Sequence, residues 1–163
     1  MPKKLLLIRH AQALESTFGQ KDFDRTLTNQ GIIDASHLGA FIFKSNLYPD
    51  AFYSSMAERA KITANSIADK INFDINKIKW EKNLYETSPR AMLNSVNEFE
   101  KLWEIVAILG HNPVITYFAE YLTGELIGSI KPAGLVVIAF DIKTWSEVTG
   151  GTGRLESKFQ PKQ

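Results

Sequence analysis

Short, wholly apolar runs alternate with amphipathic segments along most of this chain. The runs have the length of buried strands, and the segments between them carry apolar side chains mostly at helical spacing. Strands that alternate with helices predict an α/β fold, a three-layer α/β/α sandwich around a mostly parallel central sheet. The predicted strands are 5–8, 51–54, 78–80, 84–85, 103–109, 134–140 and 145–148, the last two paired across a turn.

Residues with short polar side chains mark the predicted helix starts. The predicted N-caps are Thr28, Ser55, Ser88 and Asn112. Ser55 and Glu58 have the spacing of a capping box, and a proline follows both Ser88 and Asn112 at the first helical position. Residues 11–27 have no clear period and are predicted to form a loop, and the last ten residues, which are mostly polar, are expected to fray.

Composition narrows the class of protein. A length of 163 residues predicts one domain, 1–163, because domains take roughly 100–200 residues. The net charge of +1 argues against a general nucleic-acid binder, and the absence of cysteine excludes disulfides, thiolate metal sites and a cysteine nucleophile. The N-terminal apolar run, 5–8, is shorter than a signal peptide or a membrane span requires, so we expect a cytoplasmic protein without a membrane partner.

Cationic or imidazole side chains follow three of the predicted strands directly. Arg9 and His10 end the first strand, Arg59 lies in the first turn of the helix after the second, and His111 ends the strand 103–109. Ligands of open α/β sheets bind at the carboxyl ends of strands, where helix N-termini also favour anions. Arginine suits bidentate contacts with phosphate, so the pattern predicts a phosphate pocket in which a neutral histidine can act as a nucleophile.

Each residue also has a plainer interpretation when it is considered alone. Arg59 fits a solvated helix position, His111 fits a strand end, and Ser55 fits a cap with no further role. The three histidines lack the short spacing of metal ligands, so no metal site is predicted. His37, in the middle of the first helix, is interpreted as a helix-face residue.

Four sequence blocks in this order resemble the signatures of the histidine phosphatase superfamily, which has the phosphoglycerate mutase-like fold. The blocks are 7–11 (Leu-Ile-Arg-His-Ala), 27–31 (Leu-Thr-Asn-Gln-Gly), 54–60 (Ser-Ser-Met-Ala-Glu-Arg-Ala) and 110–113 (Gly-His-Asn-Pro). Within the superfamily, the stretches 22–27 and 84–86 are most similar to those of the small SixA-type phosphohistidine phosphatases. Because the chain is short, we also expect it to lack the segments that cover the pocket in larger relatives.

The resemblance implies a role for each matching residue. His10 would be the nucleophile that is transiently phosphorylated, and Arg9 and Arg59 would bind the phosphoryl oxygens. His111, in its protonated form, would stabilise the transition state, and Arg25 would lie at the rim of the pocket.

Two further residues are expected at the site on the same resemblance. Asn112 is placed among the substrate-binding residues, and Glu86 is the nearest candidate for the general acid that many superfamily members carry after the third strand. An imidazole leaving group needs an acid less than an alkoxide does. A weak acid at this position would therefore favour phosphohistidine over phosphomonoester substrates.

The function implied is a metal-independent phosphatase, without a cofactor, that hydrolyses a phosphoryl group through a covalent intermediate on His10. Protein phosphohistidine is the substrate that the SixA resemblance implies. Two alternatives stay open: a small-molecule phosphomonoesterase of the same superfamily, and a catalytically silent module that binds phosphorylated ligands. The expected partner is a phosphorylated protein or small molecule.

Overall fold

A computed structural model describes residues 2–162 of the chain, which form one six-stranded sheet between two layers of helices. The strand order is β3-β2-β4-β1-β5-β6. The first four strands in this order run parallel to one another, and β5 runs antiparallel to both of its neighbours. The strands are β1 (Lys3–Arg9), β2 (Ala51–Ser55), β3 (Lys79–Glu81), β4 (Ile105–Gly110), β5 (Leu135–Phe140) and β6 (Gly153–Phe159).

Four helices cover the two faces of the sheet, as the alternation of strands and helices predicts. The helices are α1 (Asn29–Lys44), α2 (Glu58–Ile71), α3 (Pro89–Asn97) and α4 (Val114–Thr123). Apolar residues of α1 and α2 share one buried cluster with one face of the sheet, and those of α3 and α4 share the other. The predicted three-layer α/β/α architecture is therefore confirmed. No helix within residues 2–162 is both long and apolar enough to cross a membrane.

β1 lies inside the sheet, between β4 and β5, and both of its faces are buried. Leu6 and Ile8 pack into the cluster beneath α1 and α2, whereas Leu5 and Leu7 pack into the opposite cluster. A strand buried on both faces needs a continuous apolar run rather than an alternating one. The apolar run ends at Ile8, and Arg9 and His10 follow it at the carboxyl end of the strand.

The predicted caps are correct for α1 and α3 and wrong for the other two helices. Thr28 and Ser88 each accept a hydrogen bond from the third residue of their helix. Ser55 does not cap α2, because it is the last residue of β2 and the helix begins three residues later. Asn112 does not cap α4, which begins at Val114, because its amide is engaged with other residues of the chain.

Three predictions about strands and the C-terminus are also wrong. Residues 84–85 and 145–148 are not strands, since each of these segments begins in a 3-10 turn. β6 takes the place beside β5 instead, and it includes most of the segment that was expected to fray. Strands pair through main-chain hydrogen bonds, and side chains point to the two faces of the sheet. The polar side chains that alternate along β6 therefore do not prevent it from pairing at the edge. The expected fraying of Gln163 lies outside the described residues.

Candidate active site

The carboxyl ends of three adjacent parallel strands bring the predicted site residues together. Because β1 lies beside β4 and β4 lies beside β2, the residues that follow these strands meet at one edge of the sheet. They surround a cavity of about 520 Å³. The cavity is lined by Arg9, His10, Gln12, Ala13, Asp22, Arg25, Arg59, Tyr85, Glu86, His111, Asn112 and Pro132, which include every site residue that the sequence predicts.

His10 is buried at the base of this cavity with a defined tautomer. Its Nδ1 lies 2.7 Å from the carbonyl oxygen of Ala11. A carbonyl oxygen only accepts hydrogen bonds, so Nδ1 carries the hydrogen and Nε2 keeps its lone pair. Burial, together with the nearby charges of His111 and Arg59, lowers the pKa of His10 to about 3. The imidazole is therefore neutral near pH 7, the state in which Nε2 can attack an electrophile.

His111 lies beside His10, with ring centroids 5.0 Å apart. Its Nε2 and the hydroxyl oxygen of Ser55 are 2.8 Å apart and share a hydrogen bond. Burial and the adjacent Arg59 lower the pKa of His111 to about 4. Ser55 thus orients a histidine of the site from the end of β2, so its interpretation as a capping residue alone is wrong. The lowered pKa also means that the protonated form implied for His111 requires an added negative charge in the cavity.

Arg9 and Asn112 are both held by the segment that leads into β5. Nη1 of Arg9 and Nδ2 of Asn112 donate to the same carbonyl oxygen, that of Ile130, at 2.9 and 3.0 Å. Oδ1 of Asn112 accepts a hydrogen bond from Thr116 on α4. Nε of Arg9 is buried and has no hydrogen-bond partner within residues 2–162. Asn112 therefore connects the N-terminal end of α4 to the loop beside Arg9.

Asp22, in the loop between β1 and α1, joins two arginines of the site and was not predicted from the sequence. Its carboxylate accepts hydrogen bonds from Arg59, Arg25 and the hydroxyl of Tyr85, at 3.0, 2.9 and 2.5 Å. The hydrogen bonds from Tyr85 and then Arg25 hold the pKa of Asp22 well below its usual range. Both Asp22 and Tyr85 lie within the stretches that resemble SixA-type proteins, and this was the only available signal for them.

Gly31 is the last residue of the second sequence block, and its surroundings leave no space for a side chain. A Cβ atom at Gly31 would lie 2.3 Å from the carbonyl oxygen of Gln12, which is closer than real Cβ contacts. The same carbonyl accepts a hydrogen bond from the main-chain amide of Thr28. The start of α1 is thus packed directly on the segment that follows His10, and a side chain at Gly31 would displace that segment.

Glu86 and His37 have few contacts in the structure. Glu86 lies at the mouth of the cavity with an exposed side chain that forms no hydrogen bond within residues 2–162. His37 is exposed on α1, in agreement with its interpretation as a helix-face residue. Within the described part of the chain, no three His, Asp or Glu side chains lie close enough together to hold a metal ion.

A mixed sheet with two histidines and two arginines around a cavity at its strand ends defines an α/β protein with an arginine- and histidine-lined pocket. Comparison with known families is more specific, because the pattern of the histidine phosphatase superfamily (branch 1) matches residues 5–98. This range is more than half of the chain, so the chain belongs to that superfamily. The match includes Arg9, His10 and Arg59 and ends before His111, which the fold alone brings to the site.

Individual relatives differ in what they share with this chain. A 2,3-bisphosphoglycerate-dependent phosphoglycerate mutase from Elusimicrobium minutum is 33% identical over 105 residues, which cover 61% of this chain and 42% of the mutase. This chain thus spans less than half of that relative. A structure from Agrobacterium tumefaciens that bears the name phosphohistidine phosphatase SixA covers 99% of both chains with TM-score 0.85 and 24% identity. The protein histidine phosphatase SixA in complex with tungstate covers 95% of both with TM-score 0.76 and 17% identity.

Proposed function

We propose that this protein is a phosphatase that transfers a phosphoryl group to Nε2 of His10 and then to water. The observation that carries the proposal is the environment of that nitrogen. Nδ1 is committed to a main-chain carbonyl, and Nε2 faces Nε of Arg59 at 3.4 Å, inside an open cavity. A neutral nucleophile beside a permanent cation is suited to attack on an anionic phosphoryl group.

In the first step, the lone pair of Nε2 forms a bond to phosphorus while the bond between phosphorus and the leaving group breaks. The leaving atom keeps the bonding electron pair and takes a proton from solvent, or leaves as a neutral imidazole if its ring already carries a proton. Negative charge on the phosphoryl oxygens is stabilised by Arg9 and Arg59. Arg9 supports this role because its buried Nε has no partner in the described protein, and a phosphoryl oxygen could supply one.

In the second step, water attacks phosphorus, the bond to Nε2 breaks, and His10 regains its lone pair. The bound phosphoryl dianion raises the pKa of His111 through its negative charge, so the neutral ring is able to accept the proton of the attacking water. The protonated ring then stabilises the departing phosphate. Ser55 supports this role because its hydroxyl shares a hydrogen bond with Nε2 of His111 and so fixes the orientation of the ring. The donors named here are all protein groups, so the proposed reaction is independent of metal and of cofactors.

Protein phosphohistidine is the proposed substrate. The cavity is open to solvent at Asp22, Glu86 and Gln12, whose side chains are exposed, so a phosphoryl group on a large surface can reach it. Arg25 and Asn112 line the same opening and are proposed to contact the substrate around its phosphoryl group. The similarity of fold to the SixA structures supports this substrate class. Glu86 makes no contact that would hold it over a leaving group as a general acid. The lack of a positioned acid slows the departure of an imidazole less than that of an alkoxide.

A small-molecule phosphomonoesterase is the second candidate, because the relative named as a phosphoglycerate mutase acts on a phosphorylated small molecule. The two are separated by a panel with a phosphohistidine protein, a phosphohistidine peptide, a sugar phosphate and an aryl phosphate, each with and without chelator. We expect the highest kcat/KM on the phosphohistidine substrates and no effect of chelator. Higher kcat/KM on the sugar phosphate would favour the phosphomonoesterase.

The nucleophile is tested by His10→Ala, with His37→Ala as the matched control because His37 is exposed on α1. We expect His10→Ala to abolish both turnover and covalent labelling by a phosphoryl donor, while His37→Ala keeps both. Turnover that survives His10→Ala would overturn the mechanism. Binding of phosphate by the wild-type protein, with no hydrolysis of any substrate in the panel, would identify a silent binding module instead.

A further inference from the structure

We propose that Asp22 is a positioning residue that holds one end of the Arg59 guanidinium and so directs the other edge at the phosphoryl group. This inference rests on the proposed function, because it assigns to Asp22 a part in the same site. Asp22 lies further along the same β1–α1 connection as His10 and hydrogen-bonds Arg59, which in turn contacts His10, so its action would pass through Arg59.

The two edges of the Arg59 guanidinium have different hydrogen-bond partners. Nη1 donates to the main-chain oxygen of Asp22 at 2.7 Å, and Nη2 donates to its carboxylate at 3.0 Å. One residue thus occupies the far end of the planar group. The remaining edge has the Nε–H and the second Nη2–H, which point in parallel. Nε is 3.4 Å from Nε2 of His10, so this edge faces the nucleophile.

The distances identify which contact a substrate would replace. The contact between Arg59 and His10 is long for a hydrogen bond, whereas both contacts with Asp22 are of normal length. A phosphoryl oxygen entering above His10 would therefore take the weakly engaged Nε–H and leave the contacts with Asp22 in place. Two parallel N–H groups match two oxygens of a phosphoryl group.

Asp22 is itself held by two other residues. Tyr85 donates its hydroxyl hydrogen to the oxygen that binds Arg59, and Arg25 donates to the other oxygen of the carboxylate. The Tyr85 ring lies 5.9 Å from the guanidinium carbon of Arg59 and meets His111 edge-on at 5.4 Å between centroids. Rotation of the Asp22 side chain would break contacts with all three donors, so the carboxylate is a fixed support rather than a mobile group.

A role for Asp22 as proton donor does not fit these contacts. The carboxylate accepts three hydrogen bonds from groups that favour its ionised form, and its pKa lies below the usual range because of Tyr85 and Arg25. An ionised carboxylate has no proton to give to a leaving group. Its negative charge is tolerated near a phosphoryl anion because it faces the far end of the guanidinium.

The test compares the binding of orthovanadate, which adopts the five-coordinate geometry of the transition state, with that of inorganic phosphate. Both affinities are measured by titration calorimetry on the wild-type protein, Asp22→Ala and Asp22→Asn. Misplacement of a binding group by about 1 Å can cost about 10²-fold. We expect Asp22→Ala to lose between about 10-fold and 10²-fold in affinity for orthovanadate and much less for phosphate, and Asp22→Asn to lose less than Asp22→Ala.

Asp24→Asn is the matched control, because Asp24 lies in the same 3-10 turn with its side chain exposed. It removes the same charge at a similar place and is expected to change neither affinity. In an Arg59→Lys background, Asp22→Ala should have no further effect, since a residue that acts through Arg59 has nothing left to position. Circular dichroism verifies the fold, and Asp22→Asn, which keeps the side-chain volume, replaces Asp22→Ala if the latter does not fold.

Four outcomes would overturn the inference: an equal loss for both anions, tighter binding of both, unchanged binding of both, or an undiminished effect in the Arg59→Lys background. Failure of the proposed function has a different signature, since it is measured by turnover. A wild-type protein that hydrolyses nothing, yet prefers orthovanadate in a manner that requires Asp22 and Arg59, would retain the positioning role and lose the phosphatase assignment. Hydrolysis that is insensitive to Asp22, with unchanged anion binding, would keep the phosphatase assignment and remove the positioning role.

Discussion

His10, which is buried, and His111, which is partly buried, should make the folded protein less stable as the pH falls below neutrality. In the folded state the pKa values of His10 and His111 are about 3 and about 4. In the unfolded chain a histidine titrates near 6.5. Between these values the unfolded state binds more protons than the folded state, so acid favours unfolding. The stability contributed by the neutral histidines is complete above pH 6.5 and is lost progressively below it.

The size of the effect follows from the same pKa values. At about pH 5.5, where both folded histidines are still neutral, proton uptake by the unfolded chain costs about 1.4 kcal/mol for each histidine relative to about pH 8. Both together should lower the free energy of unfolding by about 3 kcal/mol. Few carboxylates titrate within this window, because their ordinary pKa values lie near 4.

The assay is urea unfolding at the two pH values in buffer without phosphate, on the wild-type protein, His10→Asn and His111→Asn. Each variant should lose about 1.4 kcal/mol less than the wild type between about pH 8 and 5.5. His37→Asn, which replaces an exposed histidine, provides the control for solvent-accessible imidazole. A wild-type protein and His10→Asn with the same pH dependence would refute the reasoning, because His10 would then take up a proton as readily in the folded protein as in the unfolded chain, and burial would not lower its pKa.

Three substitutions test other contacts of the site. Gly31→Ala should lower the free energy of unfolding in urea, although helix propensity alone predicts a gain of about 1 kcal/mol, because its Cβ would overlap the carbonyl of Gln12; a gain would contradict the proposed clash. Ser55→Ala should cost about 1 kcal/mol and reduce kcat, as the His111 ring loses its partner, and an unchanged kcat would exclude an orienting role. Glu86→Gln should reduce kcat on an aryl phosphate more than on a phosphohistidine peptide, and an equal large loss on both would contradict the assigned substrate preference.

Prediction from sequence succeeded where one local pattern specifies one structure. Thr28 caps α1 because its hydroxyl oxygen can accept from an amide within the same turn, whatever the rest of the chain does. Ser55 has the same local pattern, but pairing of β2 with β3 extends the strand through it, so tertiary contacts override the capping signal. Polarity likewise predicted fraying for β6, because a sequence does not reveal that β5 offers a free edge.

The candidate site divides in the same way. The apolar runs that precede Arg9 and His111 identify strand ends, and strand ends in an open α/β sheet identify where a ligand binds. The sequence does not state which nitrogen of His10 is free, since this depends on the carbonyl of Ala11 and on burial. Asp22 was missed for the same reason, as its importance lies in contacts with Arg59 and Tyr85, 37 and 63 residues further along the chain.

The sequence by itself therefore determined the fold class, the edge of the sheet that carries the site and the residue types gathered there. These follow from the periodicity of apolar residues and from short motifs, both of which depend on residues that are close in the chain. Only the tertiary structure decided the tautomer of His10, the neutral state of both histidines and the orientation of the Arg59 guanidinium. Those properties arise from desolvation and from hydrogen bonds between distant segments, and neither exists until the chain has folded.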